Sequence, residues 1–141
     1  MPISNPMYVR KQKKVVMPVK PKDNSRVLRL LSLWLPVLFC MAGIFYFSSL
    51  PANEIPALFP LQDILFHAII YGVLGYLFSR ALKNTNPGLG GISIVAITFL
   101  FVFSYGISDE FHQRFVPGRD VSVIDCLVDG FAGFIGSLLY K

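Results

Sequence analysis

Two short stretches of this sequence place ionisable side chains at spacings that could support chemistry. In the first, Asp63, His67 and Tyr71 are four residues apart, so on a helix they share one face. An aspartate one turn from a histidine can fix the tautomer of the imidazole, which suits a proton relay or a general base. The structural alternative is that Asp63 caps a helix that starts near Pro60 and that His67 only forms a hydrogen bond inside a bundle. For the triplet we favour a functional role.

The second stretch runs from Ser104 to Asp125 and lies between two long apolar segments. Its proline and glycine at positions 117 and 118 predict a break in the helix. Arg119, which follows the break, could bind a phosphate or a carboxylate through two of its nitrogen atoms. It could equally neutralise a neighbouring acid, so a structural ion network rivals a binding site. The candidate site residues in this stretch are Asp109, Glu110, Gln113, Arg119 and Asp125.

The last apolar segment carries two of the acids. Asp125 and Asp129 fall on one stripe of a helix with Ala132, Gly133 and Gly136. Small residues allow helices to approach closely, which would bury the two acids against other helices. Packing is the better explanation of the glycines, whereas for the acids a site or a buried partner is favoured over contact with lipid.

Established enzyme signatures are absent. The sequence has no HExxH motif, no GxSxG elbow, no P-loop and no dinucleotide fingerprint. His67 and His112 are the only histidines, which excludes a histidine-rich metal site. Acids and a histidine could still hold a cation, but no ligand spacing is specific enough to indicate one. No metal or cofactor is therefore predicted, and whether the chain is an enzyme stays open.

Four apolar segments must position these residues. Of the 141 residues, 54% are hydrophobic and 15% are charged, against about a quarter charged in soluble domains. The segments cover residues 27–49, 61–82, 91–108 and 122–140, and about 20 apolar residues are enough to cross a hydrocarbon core of roughly 30 Å. The sequence predicts an all-α fold: a four-span transmembrane helical bundle over residues 27–141.

The basic residues predict the orientation of the bundle. An excess of lysine and arginine marks cytoplasmic segments. The protein is therefore expected in the inner or plasma membrane, with both termini in the cytoplasm. Residues 1–26 are basic, contain several prolines and predict a disordered cytoplasmic tail. This clustering explains the net charge of +5 without a nucleic-acid partner. The residues that follow the rule are Arg10, Lys11, Lys13, Lys14, Lys20, Lys22, Arg26, Arg29, Arg80, Lys83 and Lys141.

The helical rise places the polar residues near one membrane surface. At about 1.5 Å per residue, Asp63 and Glu110 lie roughly 30 Å and 28 Å from the cytoplasmic ends of their helices, and Asp125 roughly 24 Å. Groups from three helices thus reach the outer leaflet, where ionisable side chains are costly unless they pair. We predict that they form a single cluster with His67 and Arg119 beneath the outer interface.

Together these residues resemble the VanZ-like family, small bacterial membrane proteins associated with resistance to glycopeptide antibiotics such as teicoplanin. The similarity covers roughly residues 45–140, and Ser48-Ser49 before Pro51 resembles the family's end of the first span. The first triplet resembles a D-x-x-x-H-x-x-x-Y element. The strongest match is D-E-x-x-Q-x-F-x-P-G-R-x-x-S-x-x-D, carried here by Asp109, Glu110, Gln113, Phe115, Pro117, Gly118, Arg119, Ser122 and Asp125.

Two positions depart from the family pattern. Many members have lysine where this chain has Ile64, and many have asparagine where it has Asp129, which adds a charge to the bundle. The resemblance implies a fold, a topology and a cell-envelope context. The first function it suggests is a protein that modulates the envelope or glycopeptide susceptibility through an outer-leaflet polar site. The expected partners are the lipid bilayer and an anionic lipid headgroup or cell-wall precursor.

Two further functions stay open at this point. The chain could be a membrane enzyme or carrier acting on a phosphate-bearing envelope lipid, with Arg119 on the phosphate and His67 or Glu110 moving protons. It could also be an assembly protein whose polar residues only lock the bundle together.

Overall fold

Four long α-helices make up most of the structure, a computed structural model that describes residues 24–56 and 58–140. A short 3₁₀ helix, Ala52–Glu54, lies between the first two, and no β-strand occurs in the described ranges. The all-α prediction is confirmed for this part of the chain. The helices are α1 Asn24–Ser48, α2 Gln62–Thr85, α3 Gly91–Gln113 and α4 Val123–Leu139.

Three helix ends differ from the boundaries that hydropathy predicts, and one of them is the end of α2, which continues past residue 82 to Thr85. Helix α1 begins at Asn24, so the last residues assigned to the tail are helical. The remainder of that tail, residues 1–23, lies outside the described residues. Helix α3 continues beyond Ser108 to Gln113. An apolar segment ends at the first acids, but a helix continues until a breaker, and the first breaker here is Pro117-Gly118.

The four helices alternate in direction, and α2 and α4 form the centre of the bundle. Helix α2 packs against the other three, α4 packs against α2 and α3, and α1 packs mainly on α2. The end of α1, the start of α2, the end of α3 and the start of α4 therefore meet at one end of the bundle. We call this the polar end, because all nine candidate site residues lie in these parts of the helices and in the segment that joins α3 to α4.

Close contact between α2 and α4 depends on glycine. A Cβ atom at Gly75 would collide with the backbone of Gly133, and a Cβ atom at Gly136 would collide with the carbonyl of Gly72. The predicted packing role of the glycines on the last helix is therefore confirmed. The buried apolar core beside this crossing consists of Leu33, Val37, Ile44, Tyr71, Leu74, Phe78, Ala81, Leu82, Ile94 and Val102.

Large apolar side chains are exposed around the outside of the bundle. Phe39 is 73% exposed and Ile92 is 89% exposed, whereas soluble monomers rarely expose contiguous apolar surface of this extent. Helices α1, α2 and α3 are each long and apolar enough to cross a membrane, by length and composition, and α4 does not meet the same standard. The chain is thus a helical membrane protein with three helices of spanning length and composition among its described residues.

Candidate functional site

The central contact of the polar end joins α2 to α4. His67 Nδ1 donates to Asp129 Oδ1 at 2.9 Å, and Asp129 has no exposed surface. A Cβ atom at Gly106 of α3 would lie 2.7 Å from Asp129 Oδ2, so the glycine leaves the space that the carboxylate occupies. This is the one ion pair within 4.0 Å in residues 24–56 and 58–140.

The prediction that Asp63 orients His67 is wrong. Asp63 lies one turn before His67 on α2, but its side chain is exposed, and the imidazole bonds to Asp129 instead. The rotation of α2 turns His67 toward α4, whereas Asp63 lies at the rim of the bundle in the first helical turn. Tyr71 does follow the expected stripe, because its ring stacks on the His67 ring at 5.7 Å with an interplanar angle of 10°.

Helix α3 contributes two buried acids because it continues past its apolar segment. Asp109 is 5% exposed and accepts a hydrogen bond from Gln113 Nε2 at 3.2 Å. Glu110 is 2% exposed, and its Oε2 accepts from the backbone N–H of Ser122 at 2.8 Å. Glu110 therefore ties the end of α3 to the start of α4, while Asp109 and Gln113 form a separate pair on the same helix.

The start of α4 has a capped first turn. Ser122 precedes the helix, and its hydroxyl accepts from the backbone N–H of Asp125 at 3.2 Å. Serine is a favoured residue at this position, because it satisfies a donor that the helix leaves free. A carboxylate in the first turn, here that of Asp125, is also favoured by the helix dipole. One ligand atom each from Asp125, His67 and Glu110 lie within 4.8 Å of one another.

Arg119 binds backbone carbonyls and no carboxylate. Its Nε donates to the carbonyl of Leu50 at 3.2 Å, and its Nη2 donates to the carbonyl of Phe47 at 3.0 Å. These carbonyls lie at the end of α1, where a helix leaves acceptors without intrahelical partners. The interpretation of Arg119 as the neutralising partner of Asp109, Glu110 or Asp125 is therefore wrong. Gly118 has a φ of +75°, a conformation that allows the chain to bring Arg119 close to the end of α1.

The predicted single cluster is thus only partly formed. His67, Glu110 and Asp125 do come together, and Asp129 joins them through His67. Asp63 and Arg119 lie outside this group and instead line a cavity next to it. Asp63 and Arg119 lie apart from the cluster because residues at the same height along the bundle can still face different sides of their helices.

That cavity has a volume of about 470 Å³ and opens at the polar end. Binding sites for small molecules typically enclose about 300–1,000 Å³. Most of the lining is apolar and comes from α1, α2 and the segment between them. Its ionisable and amide-bearing residues are Glu54, Asp63, His67, Asp109, Gln113 and Arg119.

Sequence reasoning missed two polar residues that shape the polar end. Gln62 is 7% exposed, donates to the carbonyl of Pro56 at 3.0 Å and accepts from the N–H of Leu58 at 2.7 Å. It therefore holds part of the cavity wall in place. His112 Nε2 lies 3.0 Å from Ser49 Oγ. The signal for both was weak, since Gln62 is a single polar residue at the edge of an apolar segment and His112 is one of several polar residues in its stretch.

Comparison with known proteins identifies a family. The family model described as VanZ/LLP1 matches residues 33–141, which includes most of α1 and all of the polar end. Neither the curated proteins nor the solved structures gave a match. Because the match covers most of its length, the chain belongs to the VanZ/LLP1 family.

Proposed function

We propose that this chain spans the bacterial inner or plasma membrane four times and modulates the cell envelope, or its susceptibility to glycopeptides, through the polar end. In this proposal both termini are cytoplasmic and the polar end lies in the outer leaflet. The ligand is an anionic lipid headgroup or a cell-wall precursor. The observation that carries the proposal is the cavity of about 470 Å³ with charged residues in its wall at that end.

The fourth span is supported by the surface of α4. Its 17 residues extend about 26 Å at a rise of about 1.5 Å per residue, close to the roughly 30 Å of a hydrocarbon core. Its exposed side chains form an apolar stripe with helical spacing, which suits contact with lipid chains. The stripe consists of Ile124, Leu127, Phe131, Ile135 and Leu138.

The orientation is supported by the end of the bundle opposite the cavity. Arg29 donates to the carbonyl of Asn84 at 3.5 Å, and Asn84 Nδ2 donates to Tyr140 Oη at 2.6 Å. Lys83 lies 5.6 Å from the centre of the Tyr140 ring. Basic and aromatic residues thus gather at one end, as expected of a cytoplasmic interface with an aromatic belt.

Arg119 is the group in the cavity wall that suits a headgroup with negative charge, and its attraction must outweigh repulsion from the carboxylates of Glu54, Asp63 and Asp109 in the same wall. Arg119 uses Nε and one proton of Nη2 on α1, and a guanidinium has five N–H donors in all. Further donors are therefore available to a phosphate or carboxylate that enters the cavity. The apolar part of the wall suits the first carbons of a lipid chain.

The experiment that tests this proposal compares Arg119→Ala with Arg114→Ala. Arg114 is an exposed arginine in the same segment, so it controls for loss of charge alone. We expect wild type and Arg114→Ala to co-purify an anionic envelope lipid, detected by native mass spectrometry, and Arg119→Ala to lose it. Wild type and Arg114→Ala should also raise the teicoplanin concentration that a sensitive host tolerates. Equal lipid content and equal tolerance in all three proteins would contradict the proposal.

A second candidate function is catalysis or transport on a phosphate-bearing envelope lipid. The specific observation in its favour is that buried Asp129 holds the His67 ring at 2.9 Å, an arrangement that orients a general base. Turnover of such a lipid in vesicles, abolished by His67→Ala, would support this candidate over simple binding. Normal tolerance to teicoplanin in folded variants of all these residues would instead favour an assembly role.

A further inference from the structure

Three side chains on three different helices converge at the polar end with atoms that can ligate a metal. They are His67 of α2, Glu110 of α3 and Asp125 of α4, whose ligand atoms lie within 4.8 Å of one another. Atoms that share one tetrahedral metal ion lie about 3.3 Å apart, since each is about 2.0–2.2 Å from the ion, so the three side chains must close by up to about 1.5 Å when they bind one. We propose that these three residues bind one divalent transition-metal ion.

An unpartnered buried oxygen is independent support for a ligand. Glu110 is 2% exposed, and its Oε1 has no hydrogen-bond partner among residues 24–56 and 58–140. Its other oxygen is already used by Ser122. Buried polar atoms in native proteins almost always have a partner, because desolvation without one is costly. A bound cation supplies that partner.

The balance of charge at the polar end also favours a cation. Asp109, Glu110 and Asp129 are each at most 5% exposed, and Asp125 is half-buried beside them. The one basic side chain within 4.0 Å of these acids, in the part of the chain that the structure describes, is His67, which is charged only when protonated. Arg119, which the sequence suggests as a partner for these acids, bonds to the carbonyls of α1. Buried carboxylates in such excess are typically paired or coordinated to a metal.

The contact between His67 and Asp129 is the second shell that such a site needs. Histidines that bind metals usually donate the other ring N–H to a carboxylate, which fixes the orientation of the ring. Asp129 accepts from Nδ1 at 2.9 Å, so Nε2 is the nitrogen available to the ion. Asp129 is thus a positioning residue, and it binds no metal itself.

The ligand set indicates which ions fit. One imidazole nitrogen and carboxylate oxygens suit Zn²⁺ or Mn²⁺ better than Ca²⁺, which prefers six to eight oxygen ligands. Three protein ligands leave at least one coordination position open, as in catalytic zinc sites. The metal site does not depend on the lipid-binding proposal, because the cavity wall shares only His67 with it.

The test measures Zn²⁺ binding to the full chain in lipid nanodiscs after treatment with a chelator. Titration calorimetry and metal analysis should give one ion per chain for wild type. Glu110→Gln and Asp125→Asn should each weaken binding at least 10-fold, and Asp129→Asn should weaken it by about 10–100-fold, as for other second-shell changes. Asp120→Asn, which removes an exposed acid from the same segment, should bind as wild type does.

Two results of the binding measurements would overturn the proposal. One is the absence of saturable binding to folded wild type at millimolar Zn²⁺. The other is equal affinity in wild type, Glu110→Gln and Asp125→Asn. A measurement on wild type avoids any dependence on folding of the variants: the X-ray absorption spectrum of bound zinc should contain scattering from one imidazole. A spectrum with no imidazole would also refute the site. None of these readouts measures binding of a specific lipid or tolerance to an antibiotic, so failure here is distinct from failure of the proposed function.

Discussion

At the scale of single residues, the distinctive feature is a fully buried aspartate among apolar helices. Asp129 has no exposed surface, and among residues 24–56 and 58–140 the one hydrogen-bond partner of its side chain is His67. Its Oδ2 has no hydrogen-bond partner in the described ranges. A buried charge that loses its partner is strongly unfavourable. The stability of the bundle should therefore depend on the pair as a unit.

We expect His67→Ala to lower the free energy of unfolding by about 3–5 kcal/mol, the range for breaking a buried pair. The double variant His67→Ala with Asp129→Asn should be more stable than His67→Ala alone, because the stranded charge is gone. The free energy of unfolding of wild type and of each variant can be measured in mixed micelles. Losses that simply add in the double variant would show that the two side chains are energetically independent.

Gly106 offers a second test at this scale. In Gly106→Ala the new methyl group would come within 2.7 Å of Asp129 Oδ2, and overpacking of this kind typically costs about 1–3 kcal/mol. The matched control is Gly43→Ala in α1, where no atom lies within 4 Å of a new Cβ. Alanine there should be neutral or stabilising by up to about 1 kcal/mol. Equal thermal stability of the two variants would mean that Asp129 has room to move.

At the scale of elements, Arg119 is the link between the α3–α4 segment and α1. It bonds to two carbonyls at the end of α1, and the carbonyl of Pro117 accepts from the N–H of Ala52 at 3.2 Å. The segment therefore covers the end of a helix that packs mainly on α2. Because lysine lacks the planar fork of arginine, even a change that conserves charge should loosen this contact.

We expect Arg119→Lys to cost about 1.5–3 kcal/mol of stability, the range for hydrogen bonds to charged groups. Arg114→Lys, at an exposed position of the same segment, should change stability by less than about 0.5 kcal/mol. The losses from Arg119→Ala and Glu110→Gln should add when combined, because Arg119 does not pair with Glu110. Rescue of Arg119→Ala by Glu110→Gln, in the same unfolding assay, would contradict these contacts.

At the scale of the whole molecule, the alternating helices separate a basic end from a polar end. Labelling of single cysteines in intact cells tests the proposed orientation, in a background where Cys40 and Cys126 are replaced by serine. A cysteine at Asn53 should react with a thiol reagent that cannot cross the membrane, whereas one at Asn86 should not. Both positions are exposed, so reactivity reports the side of the membrane. The reverse pattern of labelling would refute the orientation.

Much of the architecture is predictable because it follows from linear patterns. Segment length and hydropathy predict the helices, and the stripe of small residues predicts that the last helix approaches other helices closely. The extension of α3 to Gln113 is harder to predict from the sequence, since hydropathy marks the end of an apolar segment and not the end of a helix. The candidate site residues are recognisable by type, because placing acids beside long apolar segments costs free energy.

The sequence by itself therefore determined the helical class, the polar end and the types of side chain gathered there. Only the tertiary structure decided which of those side chains meet. His67 pairs with Asp129 and not with Asp63, and Arg119 binds carbonyls and not acids. Pairing depends on the rotation of each helix about its axis, which the close contacts at Gly75, Gly133 and Gly106 set. Residues 62 positions apart, such as His67 and Asp129, acquire their geometry from that packing.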